Sequence, residues 1–311
     1  MQQKIAIIGS GLIGASWAMV FAGAGREVMV FDRDQAKFAG ARRAIRENLQ
    51  DLQDMELIED AGIVSKRIAF SADLRETVQG ADYIQESVFE RLEVKQEIFA
   101  AMDPLLKSET VVGSSSSGIP ASRFTRSLNN RGACLIAHPV NPPHLIPLVE
   151  IVPAPWTEAS AVDFTRRLME SVGQVPILVQ GEIEGFILNR LQGALLNEAW
   201  WLYQEGYASA EDIDKTVRDG LGMRWSFMGP FQTIDLNAPN GIVEYAERLS
   251  SLYLSMAKSR SRPQPWSREA IQKAETEVRR HRVEDDIPKS QLWRDKMLLA
   301  FKKWRLQTGL K

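Results

Sequence analysis

The sequence predicts an α/β protein, a Rossmann-type dinucleotide-binding domain followed by an all-α C-terminal domain. Three observations carry that reading. Residues 4–32 place a strand, a glycine motif, a helix, a second strand and a terminal acid in that order. Short β-branched runs then alternate with helical periodicity through most of the first half of the chain. From Phe186 onward almost every apolar pattern has helical spacing.

The first segment reads KIAIIGSGLIGASWAMVFAGAGREVMVFD. Ile5–Ile8 suits a buried parallel strand. Gly9, Gly11 and Gly14 form G-x-G-x-x-G: the first allows the tight turn, the second lets a pyrophosphate reach the backbone, and the third lets helix and strand pack closely. The helix that follows would offer N–H donors and positive potential to the phosphates. Val28–Phe31 is the second strand. Asp32, 21 residues after Gly11, is placed to accept hydrogen bonds from ribose hydroxyls. Its charge would repel a 2′-phosphate, so NAD is expected rather than NADP, with Arg33 as the one opposing signal. Residues 5–25 carry no charge and could be mistaken for a membrane span or a leader. Only the Rossmann reading explains where their five glycines sit. A soluble chain without a cleaved peptide is expected.

Further along, Phe38, Ala41, Ile45, Leu49 and Leu52 predict a helix over 34–53. The acidic stretch Asp51–Asp60 predicts an exposed hairpin or loop. Strands are expected at Arg67–Phe70, Tyr83–Glu86, Thr110–Gly113, Ala133–Ala137, Leu148–Val152 and Val175–Val179, with helices over 91–102 and 158–171, giving a mainly parallel sheet. Composition changes near Gly181–Gly185, so we divide the chain into a cofactor domain over 1–184 and a helical domain over 185–311. The helix starting at Phe186 is apolar around most of its circumference, which predicts burial between layers or subunits, and Gly206 is its stop signal. The tail 259–311 is rich in Arg, Lys and Trp, and its charged run at 279–286 reads as a solvated helix face.

Bulk properties narrow the function. A formal charge of −2 over 311 residues gives no support for a nucleic-acid or membrane-surface partner. Cys134 is the single cysteine, lies in an apolar run and reads as a small buried hydrophobe, so no intrachain disulfide and no Cys/His metal site are expected. The setting is expected to be cytoplasmic.

A dinucleotide enzyme needs a base, and the chain has three histidines. His138 follows a predicted strand at the carboxyl edge, where α/β sheets bind ligands. Glu150 lies 12 residues on, across the stiff link PVNPPHLIP with its four prolines. An imidazole held by a buried carboxylate can take a hydroxyl proton while hydride leaves the same carbon; the competing reading is a structural histidine in a loop. His144 and His281 have no comparable context. Ser114–Ser117 follows another strand, where small hydroxyls can bind a substrate oxygen or simply form a turn. Asn189 sits in the first turn of the Phe186 helix, by itself a capping or core-polar residue.

VVGSSSSG, IQESVFERLEVKQEIF, HPVNPPHLIPLVEIV, EGFILNRLQ and DGLGMRWSFMGPFQT together resemble the 3-hydroxyacyl-CoA dehydrogenase superfamily, in particular its lambda-crystallin (L-gulonate 3-dehydrogenase) branch, over about residues 4–240. The resemblance implies an active site of Ser117, His138, Glu150 and Asn189. It implies cofactor contacts at Gly9, Gly11, the Leu12–Ile13 turn, Gly14, Asp32, Glu90 and Lys95; the last two would otherwise read only as a charged helix start. Acyl-CoA enzymes of the superfamily typically carry Asn-Thr-Ser and His-Phe-Phe-Asn-Pro where this chain has Ser115-Ser116-Ser117 and His138-Pro-Val-Asn-Pro, and they use lysines where this chain has the acidic Asp51–Asp60. The expected substrate is therefore a small hydroxy carboxylic acid, L-gulonate-like, oxidised with NAD at its 3-hydroxy group. Arg224, in a segment similar to that of small-acid members, is a candidate carboxylate clamp or a surface or dimer contact. A 3-hydroxyacyl-CoA or L-carnitine substrate and a non-catalytic, crystallin-like or NAD-binding structural role are the alternatives. A homodimer is expected.

Overall fold

A computed structural model describes residues 3–259, 265–280 and 286–310. Residues 281–285, which include His281 and most of the charged run, lie outside the described residues. The chain runs β1 (Lys4–Ile8), α1 (Leu12–Gly23), β2 (Glu27–Phe31), α2 (Ala36–Asp54), α3 (Ala61–Lys66), β3 (Ile68–Ser71), α4 (Leu74–Val78) and β4 (Tyr83–Glu86). It continues through α5 (Leu92–Met102), β5 (Val111–Ser114), α6 (Ser122–Thr125), β6 (Cys134–Pro139), β7 (Leu148–Pro153), α7 (Ala159–Ser171), β8 (Val175–Leu178) and α8 (Leu188–Gln204). The predicted strands are all present, with ends shifted by a residue or two; the shift at β5 brings Ser114 into the strand. The acidic Asp51–Asp60 stretch forms the turn between α2 and α3.

The strands form one sheet in the order β3-β2-β1-β4-β5-β6-β7-β8. Neighbouring strands are parallel except β6 and β7, which are antiparallel. Alternate side chains feed opposite cores: Ile5 and Ile7 of β1 join Trp17, Phe21 and Tyr83, while Ala6 and Ile8 join Ile84, Val112 and Ile136. Burial on both faces is why β1 reads as an unbroken apolar run rather than an alternating one. Strand order reverses between β2-β1 and β1-β4, and that reversal opens the crevice in which α/β proteins hold ligands.

Two compact groupings are present, each described by itself. The first runs through Gln192 and also takes in Arg294–Gly309. It keeps the first turn of α8 with the sheet, and the final helix α14 returns to it. The second, from Gly193 to Trp293, contains α9 (Ala210–Lys215), a π-helical turn (Thr216–Leu221), α10 (Gly222–Trp225), α11 (Pro230–Asp235), α12 (Ile242–Ser259) and α13 (Arg268–Arg280); α14 spans Ile287–Gln307. Its core is small, with Trp200, Ala210 and Ile213 packed on Tyr203, Ala270 and Ala274. The apolar circumference of α8 is not covered among the described residues: only Tyr203 of that helix is buried, and Leu191 is 63% exposed. No helix among the described residues is long and apolar enough to cross a membrane.

Candidate active site

The glycine loop fits a dinucleotide. Gly9 has φ +108°, a conformation side chains resist, and a Cβ there would lie 2.6 Å from the Ser87 carbonyl oxygen. A Cβ on Gly14 would lie 1.9 Å from the Gly9 carbonyl oxygen, so helix and loop touch backbone to backbone. At Gly11 the same atom meets nothing within 4 Å, leaving open space in front of the first turn of α1. That turn has no side-chain cap, so its N–H groups face the opening as unpaired donors. Alongside runs a cavity of about 400 Å³ lined by Gly9, Gly11, Leu12, Ile13, Asp32 and Phe89 among others.

Asp32 is prepared for this role. One oxygen accepts from the Ser10 amide (3.1 Å) and hydroxyl (2.9 Å), and the other accepts from the Asp34 amide (3.1 Å) and Lys37 Nζ (3.3 Å). Burial pushes its pKa up, but these hydrogen bonds outweigh burial and hold it below the ordinary carboxylate value. An ionised acid at the tip of β2 accepts from ribose hydroxyls and disfavours a phosphate there.

The single antiparallel pairing places His138 of β6 directly opposite Glu150 of β7. His138 Nδ1 and Glu150 Oε2 are 2.8 Å apart, both side chains being buried. Glu150 Oε1 accepts from the backbone N–H of Ile187 (2.8 Å) and Leu188 (2.9 Å) at the start of α8. Gly185 (φ 76°) and Phe186 (φ 50°) are both left-handed and turn the chain so that these amides face the carboxylate. A buried phenylalanine in that conformation is strained; its ring lies 5.8 Å from the His138 ring. Burial raises the Glu150 pKa, and the bonds from His138, Leu188 and Ile187 bring it below its ordinary value. The carboxylate therefore stays charged and fixes Nδ1 as the protonated ring nitrogen, leaving Nε2 as the acceptor.

Asn189, the residue after Leu188, donates from Nδ2 to the Ser117 carbonyl at 2.8 Å. One turn of α8 thus touches Glu150 and the serine loop together, which brings Ser117, His138, Glu150 and Asn189 into one network. The Ser117 hydroxyl makes no protein hydrogen bond among the described residues and is free for a ligand oxygen.

Glu90 and Lys95 lie beneath that loop rather than on the lining of the cavity. Glu90 Oε1 gathers donors from the Ser116 hydroxyl (2.6 Å) and the amides of Ser117 (2.9 Å), Gly118 (3.0 Å) and Ile119 (3.3 Å). The Lys95 ammonium, 1% exposed, sits between Glu86 (3.0 Å) and Glu90 (3.3 Å). So enclosed, it pairs with the acids that hold the loop. Sequence reasoning missed Glu86, the last residue of β4 and fully buried. It also missed Ser10, which aims Asp32, and gave His144 no role. Arg224 lies on α10 in the second grouping.

A glycine loop shaped for a dinucleotide, in a sheet that also carries the buried His138–Glu150 pair, defines the class as a dinucleotide-dependent oxidoreductase. Residues 4–183 match the family model described as 3-hydroxyacyl-CoA dehydrogenase, NAD binding domain, and residues 185–282 match 3-hydroxyacyl-CoA dehydrogenase, C-terminal domain. The chain belongs to the 3-hydroxyacyl-CoA dehydrogenase family, and its cofactor is NAD. It is similar to the lambda-crystallin homolog of Rattus norvegicus, 38% identical over 97% of this chain and 96% of that one. It is also similar to the L-carnitine dehydrogenase of Pseudomonas aeruginosa, 37% identical over 76% of this chain and 74% of that one. Among solved structures, an NAD-dependent dismutase, 5-formyl-3-hydroxy-2-methylpyridine 4-carboxylic acid 5-dehydrogenase, superposes with a TM-score of 0.84 at 25% identity, covering 100% of both chains.

Proposed function

We propose that this protein catalyses the reversible NAD-linked oxidation of the 3-hydroxy group of a small, free hydroxy carboxylic acid, with L-gulonate as the model substrate. The observation that carries the reading is the buried His138–Glu150 pair, 2.8 Å apart, in the same sheet as the glycine loop. His138 Nε2 takes the hydroxyl proton. Glu150 holds the ring in the right tautomer and stabilises the imidazolium that forms. Ser117 supplies a hydroxyl to the reacting oxygen, and Asn189 keeps the serine loop against α8. NAD, when bound, supplies the hydride acceptor. In this reading 1–184 forms the cofactor domain, and the helical part completes the substrate site, with Arg224 as the fork that takes the carboxylate.

Support for a free acid rather than a CoA thioester comes from the acidic turn between α2 and α3, which offers no cationic cradle to a nucleotide phosphate. L-Carnitine is the second reading, favoured by the carnitine dehydrogenase relative and by the exposed Trp225 and Phe227 beside Arg224. The deciding experiment follows NADH absorbance with gulonate, 3-hydroxybutyrate, carnitine and 3-hydroxybutyryl-CoA. Turnover of a free hydroxy acid, with KM raised at least tenfold by Arg224→Met, is the expected result. Preference for the thioester would reject the free-acid assignment. NADH binding without turnover across the panel would instead support a structural, crystallin-like role.

A further inference from the structure

The family models end at residue 282, so α14 lies outside both of them. Its second half nevertheless belongs to the same compact grouping as the sheet. Leu299 is buried in the core that contains Leu145 and Val149. One turn later Lys302 Nζ donates to the backbone carbonyl of His144 at 2.5 Å. No carboxylate lies within ion-pair distance of Lys302 among the described residues, and burial pulls its pKa below the ordinary lysine value. A half-buried ammonium resting on one carbonyl, with no carboxylate beside it among the described residues, is partly stripped of water, and that cost asks what the contact achieves.

His144 is in the loop between β6 and β7, so it stands between His138 and Glu150 in the chain. The other side of His144 is tied to the cofactor helix α1. Its backbone N–H donates to Ser16 Oγ (3.1 Å), and Ser16 Oγ lies 2.6 Å from its Nδ1. The hydroxyl can accept from that amide and still donate its own proton to Nδ1, a pairing in which His144 is neutral. Burial first, and the Lys302 charge second, push its pKa down to about 4, in accord with that assignment. The loop is stiffened by prolines and doubly anchored, and the register that sets His138 against Glu150 is fixed by how this connection closes.

We propose that Lys302 is a positioning residue for the catalytic pair: by clamping the His144 carbonyl, the C-terminal helix holds the β6–β7 connection in the one conformation that aligns His138 with Glu150. The proposal rests on the dehydrogenase reading above. Its test compares Lys302→Met, which keeps the stem and removes the donor, with Lys302→Arg, which restores one. Should Lys302→Met not fold, Lys302→Gln takes its place, since its amide is too short to reach the carbonyl. Amide exchange over residues 140–146 is measured beside steady-state kinetics with the best panel substrate. Expected for Lys302→Met are exchange at least about tenfold faster in that loop alone and a kcat lower by about 10- to 100-fold, the scale of a small misplacement of reacting groups. KM for NAD should stay within about twofold of wild type, and Lys302→Arg should recover most of the kcat. Unchanged exchange and kcat in Lys302→Met would overturn the proposal. So would equal damage from both variants, or faster exchange throughout the sheet, either of which marks simple loss of packing. A wild-type enzyme inactive on the whole panel removes the dehydrogenase reading and this inference with it, whereas an active wild type with an unaffected Lys302→Met removes the inference alone.

Discussion

Two buried histidines with different partners have different roles. His138 faces a carboxylate that also accepts from two backbone amides, and in the proposed reaction it is the group that takes the hydroxyl proton. His138→Ala should lower kcat by about 10³-fold and Glu150→Gln by about 10²-fold, within the range typical of general acid–base groups. NADH affinity, read by fluorescence titration, should be unchanged in both. His144 faces a hydroxyl and lies near an ammonium, with its pKa lowered to about 4. Because the folded value is below the ordinary histidine value of about 6.5, the unfolded chain binds this proton first. His144 therefore stabilises the fold fully above about pH 6.5, and its contribution is lost as pH falls toward about 4. Between pH 7 and pH 5 this amounts to about 2 kcal/mol. Urea denaturation at the two pH values should show His144→Gln losing about that much less than wild type; equal losses would refute the assignment.

Among the elements, α1 and its loop show how two glycines of one motif answer to different constraints. Gly14 meets backbone, and a Cβ there would be 1.9 Å from the Gly9 carbonyl. Gly14→Ala should therefore cost about 3 kcal/mol through forced displacement of the loop. Gly11 meets open space, so Gly11→Ala should leave the melting temperature unchanged while weakening NADH binding. Calorimetry paired with NADH titration separates the two, and a melting temperature lowered equally by both substitutions would contradict the geometry. The β6–β7 pair makes a related point. In a sheet that is otherwise parallel, the one antiparallel step lets a short connection bring residues 138 and 150 opposite each other, which a parallel crossover of a dozen or more residues could not do.

For the whole molecule, the uncovered apolar face is the property that awaits a partner. Ile187, just before α8, and Leu191 and Leu195 within it follow one another at four-residue intervals and are all exposed, as is Phe231 on α11. An apolar stripe of that kind marks an association surface, and a second copy of this chain is the proposed occupant. Sedimentation equilibrium should give a dimer at micromolar concentration and Leu191→Glu a monomer; a wild-type monomer would reject the homodimer. The glycine spacing, Asp32, the strand runs and the His138–Glu150 candidates were all legible in the sequence, because turn sterics, charge and periodicity act within a few residues. Glu86 was not recognised, since an acid at a strand end looks solvated until the helix carrying Lys95 folds over it. Nor was the pairing of Lys95 with Glu86 and Glu90 legible. The place of the tail was hidden for the same reason: Lys302 and His144 are 158 residues apart, and no local pattern records which surface a distant helix will cover. The sequence by itself determined the cofactor loop and marked His138 and Glu150 as candidates. Only the tertiary structure decided what packs around that pair, because burial and partnership are set by packing between segments that the chain order keeps apart.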